Sequence, residues 1–179
     1  MQKLIELYRQ WHGSEPVSTE KLPQAGSNRE YYRMTGDDGS SVIGAIGTSR
    51  DENHAFIYLS GHFRKRQLPV PRILSVSDDE LRYLQEDLGR VSLFSAISGG
   101  REAGGRYNQK EKQLLINTIK ELPNIQIRGA RGLDWSNCYP QPEFDENSVL
   151  FDLNYFKYCF LKPAAVSYTH LTLPTSDLV

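Results

Sequence analysis

Apolar residues recur at helical spacing from the start of the chain. Leu4, Ile5, Leu7, Tyr8 and Trp11 fall on one side of a helical projection, which predicts a short amphipathic helix stopped by Gly13 and Pro16. From Glu20 the pattern shortens. A short strand is expected around Lys21 to Pro23, and two extended runs, Glu30 to Thr35 and Ser40 to Ile46, flank Gly36-Asp37-Asp38-Gly39. Those four residues tolerate positive φ, so a hairpin is predicted there. Asp51 can cap a helix running to about Arg66, with Ala55, Phe56, Leu59 and Phe63 on its inner side and Arg64, Lys65 and Arg66 at its negative end. Pro69-Val70-Pro71 forces an extended entry into Ile73 to Val76, and the Asp78-Asp79 turn leads to a partner strand over Leu81 to Gln85.

After Gly89 the pattern is helical. Val91 to Ile97 reads as a short helix, Gly99-Gly100 and Gly104-Gly105 bracket an open loop, and Asn108 caps an amphipathic helix that ends before Pro123. Residues 124–144 read as a long irregular crossing. Asn147 to Leu161 forms a helix that is apolar nearly all round, with Val149, Leu150, Leu153, Phe156 and Phe160 on one side and Phe151, Tyr155 and Tyr158 around it. Such a helix requires burial on several faces, few elements remain to bury it, and aggregation is expected. Pro163 breaks the pattern, and the Thr- and Ser-rich stretch after it continues no periodicity.

Composition narrows the classes. The 179 residues carry 21 Lys+Arg against 22 Asp+Glu, a formal net charge of −1, which removes the basic excess of a duplex-binding protein. No run approaches the ~18 apolar residues of a membrane span. Cys138 and Cys159 have no metal-type spacing, and the amino terminus lacks a signal peptide's apolar core. Free thiols and a cytoplasmic location are expected, with neither nucleic acid nor membrane as partner. Glycines 99, 100, 104 and 105 precede no G-K-[ST]; the histidines form no H-E-x-x-H; no G-x-S-x-G occurs.

One loop retains chemical interest. Gln24-Ala25-Gly26-Ser27-Asn28-Arg29 lies between two strands; its small residues let backbone N–H groups approach an anion, and Ser27, Asn28 and Arg29 add donors suited to phosphate oxygens. Taken alone it reads more readily as an ordinary polar turn. The order of elements, however, is strand, small-residue loop, strand, turn, strand, helix, strand, strand, then a helical remainder, the layout of a protein-kinase-like small lobe.

Three segments carry a resemblance over about residues 1 to 163. Ser27-Asn28-Arg29-Glu30-Tyr31-Tyr32-Arg33 fits an S-x-R-x-Y-[FY]-R pattern, and with Leu68-Pro69-Val70-Pro71-Arg72-Ile73-Leu74 and Leu84-Gln85-Glu86-Asp87-Leu88-Gly89 it resembles the aminoglycoside phosphotransferase and choline kinase-like superfamily. Within it, the chain is most similar to the branch of bacterial anomeric kinases of N-acetylmuramate and N-acetylglucosamine and related phosphotransferases of Bacteroides-type bacteria. The resemblance implies transfer of the ATP γ-phosphoryl group to a small-molecule hydroxyl, with a sugar or amino sugar as the expected acceptor and with ATP and magnesium. By position, Gly26, Ser27, Asn28 and Arg29 would cover the phosphates, and the backbone of Glu86, Asp87 and Leu88 would hold the adenine.

Two departures qualify it. The third strand, Ser41 to Ile46, lacks the lysine that protein kinases set against the phosphates; Arg29 or Arg33 could substitute, with Glu52 as the acidic partner of such an arginine. An H/Y-x-D-x-x-x-x-N catalytic loop and the metal-binding aspartate that follows it are absent, so no catalytic or metal-binding residue is expected in this chain. Asp152 and Lys157 are acceptor-side candidates, with a packing ion pair as the favoured alternative. Trp135, Tyr139 and Phe144 read as loop anchors or sugar-stacking rings, the former preferred. The expected organisation is α+β: a kinase-like small lobe with its amino-terminal helix over 1–88, a linker and incomplete helical lobe over 89–163, and a tail over 164–179 that resembles translated adaptor sequence. The implied function is the inactive amino-terminal part of an ATP-dependent small-molecule kinase; the alternative is a non-catalytic nucleotide-sensing or partner-binding module.

Overall fold

The computed structural model describes residues 1–24, 26 and 28–164; Ser27 and the tail from residue 165 lie outside the described residues. The chain divides into two units, Met1–Pro140 and the part that begins at Gln141. The first unit is α+β, built on a five-stranded antiparallel sheet.

Helix α1 (Gln2–His12) ends on Gly13, whose φ of 96° is the left-handed C-cap that glycine favours. Strands β1 (Ser18–Lys21), β2 (Glu30–Thr35) and β3 (Ser41–Ile46) follow, then helix α2 (Arg50–Lys65), β4 (Ile73–Val76) and β5 (Arg82–Glu86). The sheet order is β1-β2-β3-β5-β4, with every neighbouring pair antiparallel. The crossover through α2 carries the chain past the sheet edge before β5 returns beside β3.

Register sorts the side chains onto two faces, because alternate residues of a strand point opposite ways. Tyr32, Gly44 and Leu84 are in register, as are Met34 and Val42, and these meet Leu4, Leu7 and Tyr8 of α1 in the apolar core. Gly44 makes the close approach of α1 possible: a Cβ there would sit 2.9 Å from both Leu4 Cδ2 and Met34 Sδ. The opposite face carries Arg33, Ile43 and Gln85 in one row and Tyr31, Ala45 and Tyr83 in the next. Helix α2 packs on that second face, where the Phe56 ring stacks 5.2 Å from Tyr83.

Several boundaries differ from expectation. The cap of α2 is Ser49, whose hydroxyl accepts from Glu52 N, so the helix starts at Arg50 and Asp51 sits in its first turn. Its inner side is more polar than the hydrophobic spacing implied: Asn53, Ser60 and His62 are buried beside Ala55. Each has a partner, with Asn53 Nδ2 donating to Glu80 O (2.8 Å), Ser60 Oγ to Pro71 O (2.6 Å), and His62 Nε2 lying 2.7 Å from Gly129 O.

Gly99 and Gly100, expected in an open loop, lie in a short helix α4 (Ser98–Glu102) after α3 (Leu93–Ala96). Gly100 is buried, and Tyr107 lies where a Cβ would go, 2.1 Å away. Helix α5 (Gln109–Pro123) has the expected Asn108 cap in a full capping box with Glu111. Pro123 does not stop the helical path, which continues as a π-type turn over Asn124–Arg128. The irregular crossing is thus partly helical, with a further 3-10 turn at Trp135–Asn137.

In the second unit, α6 (Glu146–Phe156) is capped by Asp145 and continues as a π-type turn over Lys157–Leu161. Its apolar side chains are exposed all round, Phe151 at 69% and Tyr155 at 64%. No helix among the described residues is long and apolar enough to cross a membrane.

Candidate functional site

Arg29 is where the β1–β2 loop enters the sheet. Its Nε donates to Asn53 Oδ1 (3.0 Å) and an Nη to Glu52 O (2.9 Å), the same nitrogen lies 3.2 Å from the Glu52 carboxylate, and the guanidinium sits 5.2 Å from the centre of the Phe56 ring. The arginine that Glu52 pairs with is therefore Arg29 rather than Arg33. Asn53, fully buried, relays this anchor to the β4–β5 turn through Glu80 O. A guanidinium fixed in this way is preorganised at the mouth of the loop holding Gly26 and Asn28.

The linker after β5 is shaped by a second arginine. Arg33 donates from Nε to Asp87 Oδ2 (2.6 Å) and from one Nη to Asp87 Oδ1 (3.1 Å) and Gly89 O (3.0 Å). Both side chains are nearly buried, at 9% and 5% exposure, so this is a charge pair out of water. Asp87 also accepts from Ser41 Oγ (2.8 Å) and Gly89 N (2.9 Å). The guanidinium, reinforced by these two donors, holds the Asp87 carboxyl far below the usual carboxylate range against the opposing effect of burial. Gly89 turns at φ 97°, a conformation that a side chain would strain.

Arg33, expected as a phosphate donor, is bonded as a strut between β2 and the linker. The Asp87 side chain is likewise committed to shape. Glu86 accepts from Arg72 N at 3.2 Å, and its own N–H is bonded to Arg72 O at 2.8 Å. That leaves the backbone of Asp87 and Leu88, which makes no hydrogen bond among the described residues, as the open polar edge of the linker.

Between these features lies an open cavity of about 260 Å³ lined by Leu22, Pro23, Tyr31, Arg33, Ile43 and Gln85 through Gly89. Its walls are apolar where β1 ends and at Ile43, and polar along the linker. Gln85 Oε1 is buried without a hydrogen-bond partner among the described residues, which leaves an unsatisfied acceptor in the lining. Tyr83, one row further in, is wholly buried, and burial pushes its hydroxyl far above the ordinary phenol range. A second depression of about 270 Å³, lined by Lys65, Arg66, Gln67, Arg128 and Arg131, has no aromatic or apolar wall for a base.

The structure thus brings Arg29 and Glu52 together at α2, and Arg33, Glu86, Asp87 and Leu88 together at the cavity. Asp152 and Lys157 lie in the second unit; neither has an ion pair among the described residues, so the packing pair expected of them is not formed, and Lys157 Nζ instead lies 5.6 Å from the centre of the Tyr158 ring. The hydrophobic pattern gave no sign of Asn53, the buried link behind Arg29, nor of the grouping of His12 with Asp37 and Asp38. An asparagine inside the expected helix, four residues after the cap, was the available signal for the first.

No protein-family model matches the chain, and no curated protein matches it.

Proposed function

We propose that the first unit is the nucleotide-binding lobe of an ATP-dependent small-molecule phosphotransferase, with a sugar or amino-sugar hydroxyl as acceptor. The observation that carries the proposal is the cavity between the end of β1 and the linker. It offers a purine an apolar slot at Leu22, Pro23 and Ile43, a free backbone edge at Leu88 and an unpartnered acceptor at Gln85. The guanidinium of Arg29, held by Glu52 and Asn53, supplies positive charge beside the loop of Gly26 and Asn28, where phosphates would lie. The strand order and the single helix between β3 and β4 agree with the element order expected of such a lobe.

Arg29 would take the part that a third-strand lysine plays in protein kinases, with Glu52 on α2 as its partner. Magnesium would reach the site with the nucleotide: Glu86 and Asp87, the carboxylates lining the cavity, are already bonded to Arg72, Arg33, Ser41 and Gly89. The reaction would need the aspartate and asparagine loop that this sequence does not contain, so binding rather than turnover is assigned to this chain. The test is titration of the full chain with a fluorescent adenine nucleotide and displacement by ATP. Saturable binding that is lost in Leu88→Pro and kept in Leu88→Ala is expected, since only proline removes the linker N–H. Absence of ATP-displaceable binding to a folded wild-type chain would overturn the proposal.

A further inference from the structure

Among the described residues, His54 and His62 have both ring nitrogens engaged. His54 faces Glu80 Oε1 and Asn137 Oδ1 at 3.1 Å each, and His62 faces Gly129 O at 2.7 Å and Arg66 Nη1 at 3.2 Å. His12 differs. Its Nδ1 lies 3.0 Å from Ser14 Oγ, while Nε2 stands 3.6 Å from Asp38 Oδ1, beyond hydrogen-bond length. One ligand atom each from His12, Asp37 and Asp38 lies within 4.8 Å of the other two.

The space they share is built. A Cβ on Gly36 would lie 2.7 Å from Asp38 Oδ1, 2.8 Å from His12 Nε2 and 2.9 Å from Tyr8 Oη, so three polar atoms converge on a spot kept open only by the missing side chain. Tyr8 is fully buried, and its hydroxyl has no partner among the described residues. A buried polar atom without a partner is costly, so its direction toward this spot points to a ligand there.

We propose that His12, Asp37 and Asp38 bind a divalent transition-metal ion of the zinc type, with Tyr8 Oη hydrogen-bonding to an oxygen of its coordination shell. One imidazole nitrogen and two carboxylates suit zinc better than magnesium or calcium, which take oxygen alone. Zinc bonds of ~2.1 Å at the tetrahedral angle put neighbouring ligand atoms about 3.4 Å apart, close to the 3.6 Å between His12 Nε2 and Asp38 Oδ1. With Nε2 on the ion, Nδ1–H would donate to Ser14 Oγ, 3.0 Å away, the usual outer-shell arrangement of a metal-bound histidine. The Tyr8 ring, stacked 5.1 Å from the His12 ring, fixes its plane. His12 is also the last residue of α1, where the negative end of the helix dipole favours a cation. The ion would staple the end of α1 to the β2–β3 turn.

The test is calorimetric titration of the chelator-treated full chain with zinc chloride in the absence of nucleotide, paired with the visible spectrum of the cobalt(II) form. One ion per chain is expected, with cobalt bands free of thiolate charge transfer. His12→Ala should weaken zinc binding at least ~100-fold, and Ser14→Ala about 10-fold. Gly36→Ala removes no ligand but fills the space, and should lose binding as His12→Ala does. Asp38→Asn keeps the oxygen that accepts from Ser40 N, so it decides the matter if the glycine variant fails to fold. His54→Ala should bind as the wild type. Absence of binding at millimolar zinc, undiminished binding in both His12→Ala and Asp38→Asn, or a thiolate signature from Cys138 or Cys159 would each overturn the proposal.

Discussion

The two faces of the sheet are built on opposite principles. Under α1 the packing is dry and apolar: Leu4, Tyr8, Met34 and Leu84 are fully buried and touch one another across the helix–sheet interface. On the α2 side the same strands carry Arg33, Gln85 and Tyr83, and the bonds that matter join charges and turns: Arg33 to Asp87, Arg29 to Glu52, Asn53 to Glu80. The first face supplies stability through area removed from water. The second holds a linker and a loop in one geometry, for which directional bonds are better suited than non-directional packing.

Breaking one partner of the buried pair should have the largest effect. Asp87→Ala leaves the Arg33 guanidinium buried without its carboxylate, and a loss of about 3–5 kcal/mol is expected in denaturant unfolding. Leu4→Ala on the apolar face should cost about 3 kcal/mol, through a cavity rather than an orphaned charge. The double variant Arg33→Met with Asp87→Leu separates the two principles. If the pair serves shape, stability returns to within about 1 kcal/mol of wild type, while displaceable nucleotide binding stays weak because the linker is no longer held. Restored stability together with restored binding would show that the polar face is no more than a substitute core.

Acid should expose the same contrast. The folded-state pKa of Asp87 is depressed, so its contribution is fully present above its unfolded value of about 3.9 and is lost as pH falls toward the lower folded value. Wild-type stability should therefore drop below about pH 4, and Asp87→Ala should show a shallower drop over that range. Leu4→Ala, which alters no titrating group, should keep the wild-type slope at a lower overall level. Parallel acid slopes for wild type and Asp87→Ala would remove the pair from any account of stability.

The two faces also differ in how far the sequence disclosed them. The apolar face was legible because period and burial coincide: Leu4, Leu7 and Tyr8 recur at helical spacing, and the Gly36 to Gly39 turn marks where β2 reverses into β3. The alternation of β2 and β3 follows from that hairpin. The polar face was legible only in part. Arg29, Arg33, Glu52, Glu86 and Asp87 could be singled out by residue type and motif, yet which arginine meets which acid depends on the β3–β5 pairing, set by contacts some forty residues apart in sequence. Asn53 and His62 escaped notice because a buried polar residue looks, in sequence, like a solvated one. Ser49 rather than Asp51 caps α2 because both are good caps and lie two residues apart; the structure chooses between them by where the chain leaves β3. The apolar pattern of α6 marked both the helix and the shortage of elements to bury it, and its side chains are indeed exposed.

The smallest perturbation on the polar face is the most discriminating. Ser41 Oγ donates to Asp87 Oδ2 from the start of β3, at 2.8 Å, and the contact is open to solvent. Removing it by Ser41→Ala leaves the Arg33 pair intact and should cost only about 1 kcal/mol, a shift near the limit of an unfolding measurement. The hydroxyl and the guanidinium share the same carboxylate oxygen, so the loss should show first as freedom of the linker around Gly89. Amide exchange at Leu88 and Gly89 should therefore quicken in Ser41→Ala while exchange in β2 and β5 stays as in wild type. In Leu4→Ala the order reverses, because a cavity under α1 loosens the sheet as a whole and the linker only with it. Equal acceleration of linker and strands in Ser41→Ala would mean that the two faces are mechanically one, and that the linker has no separate support.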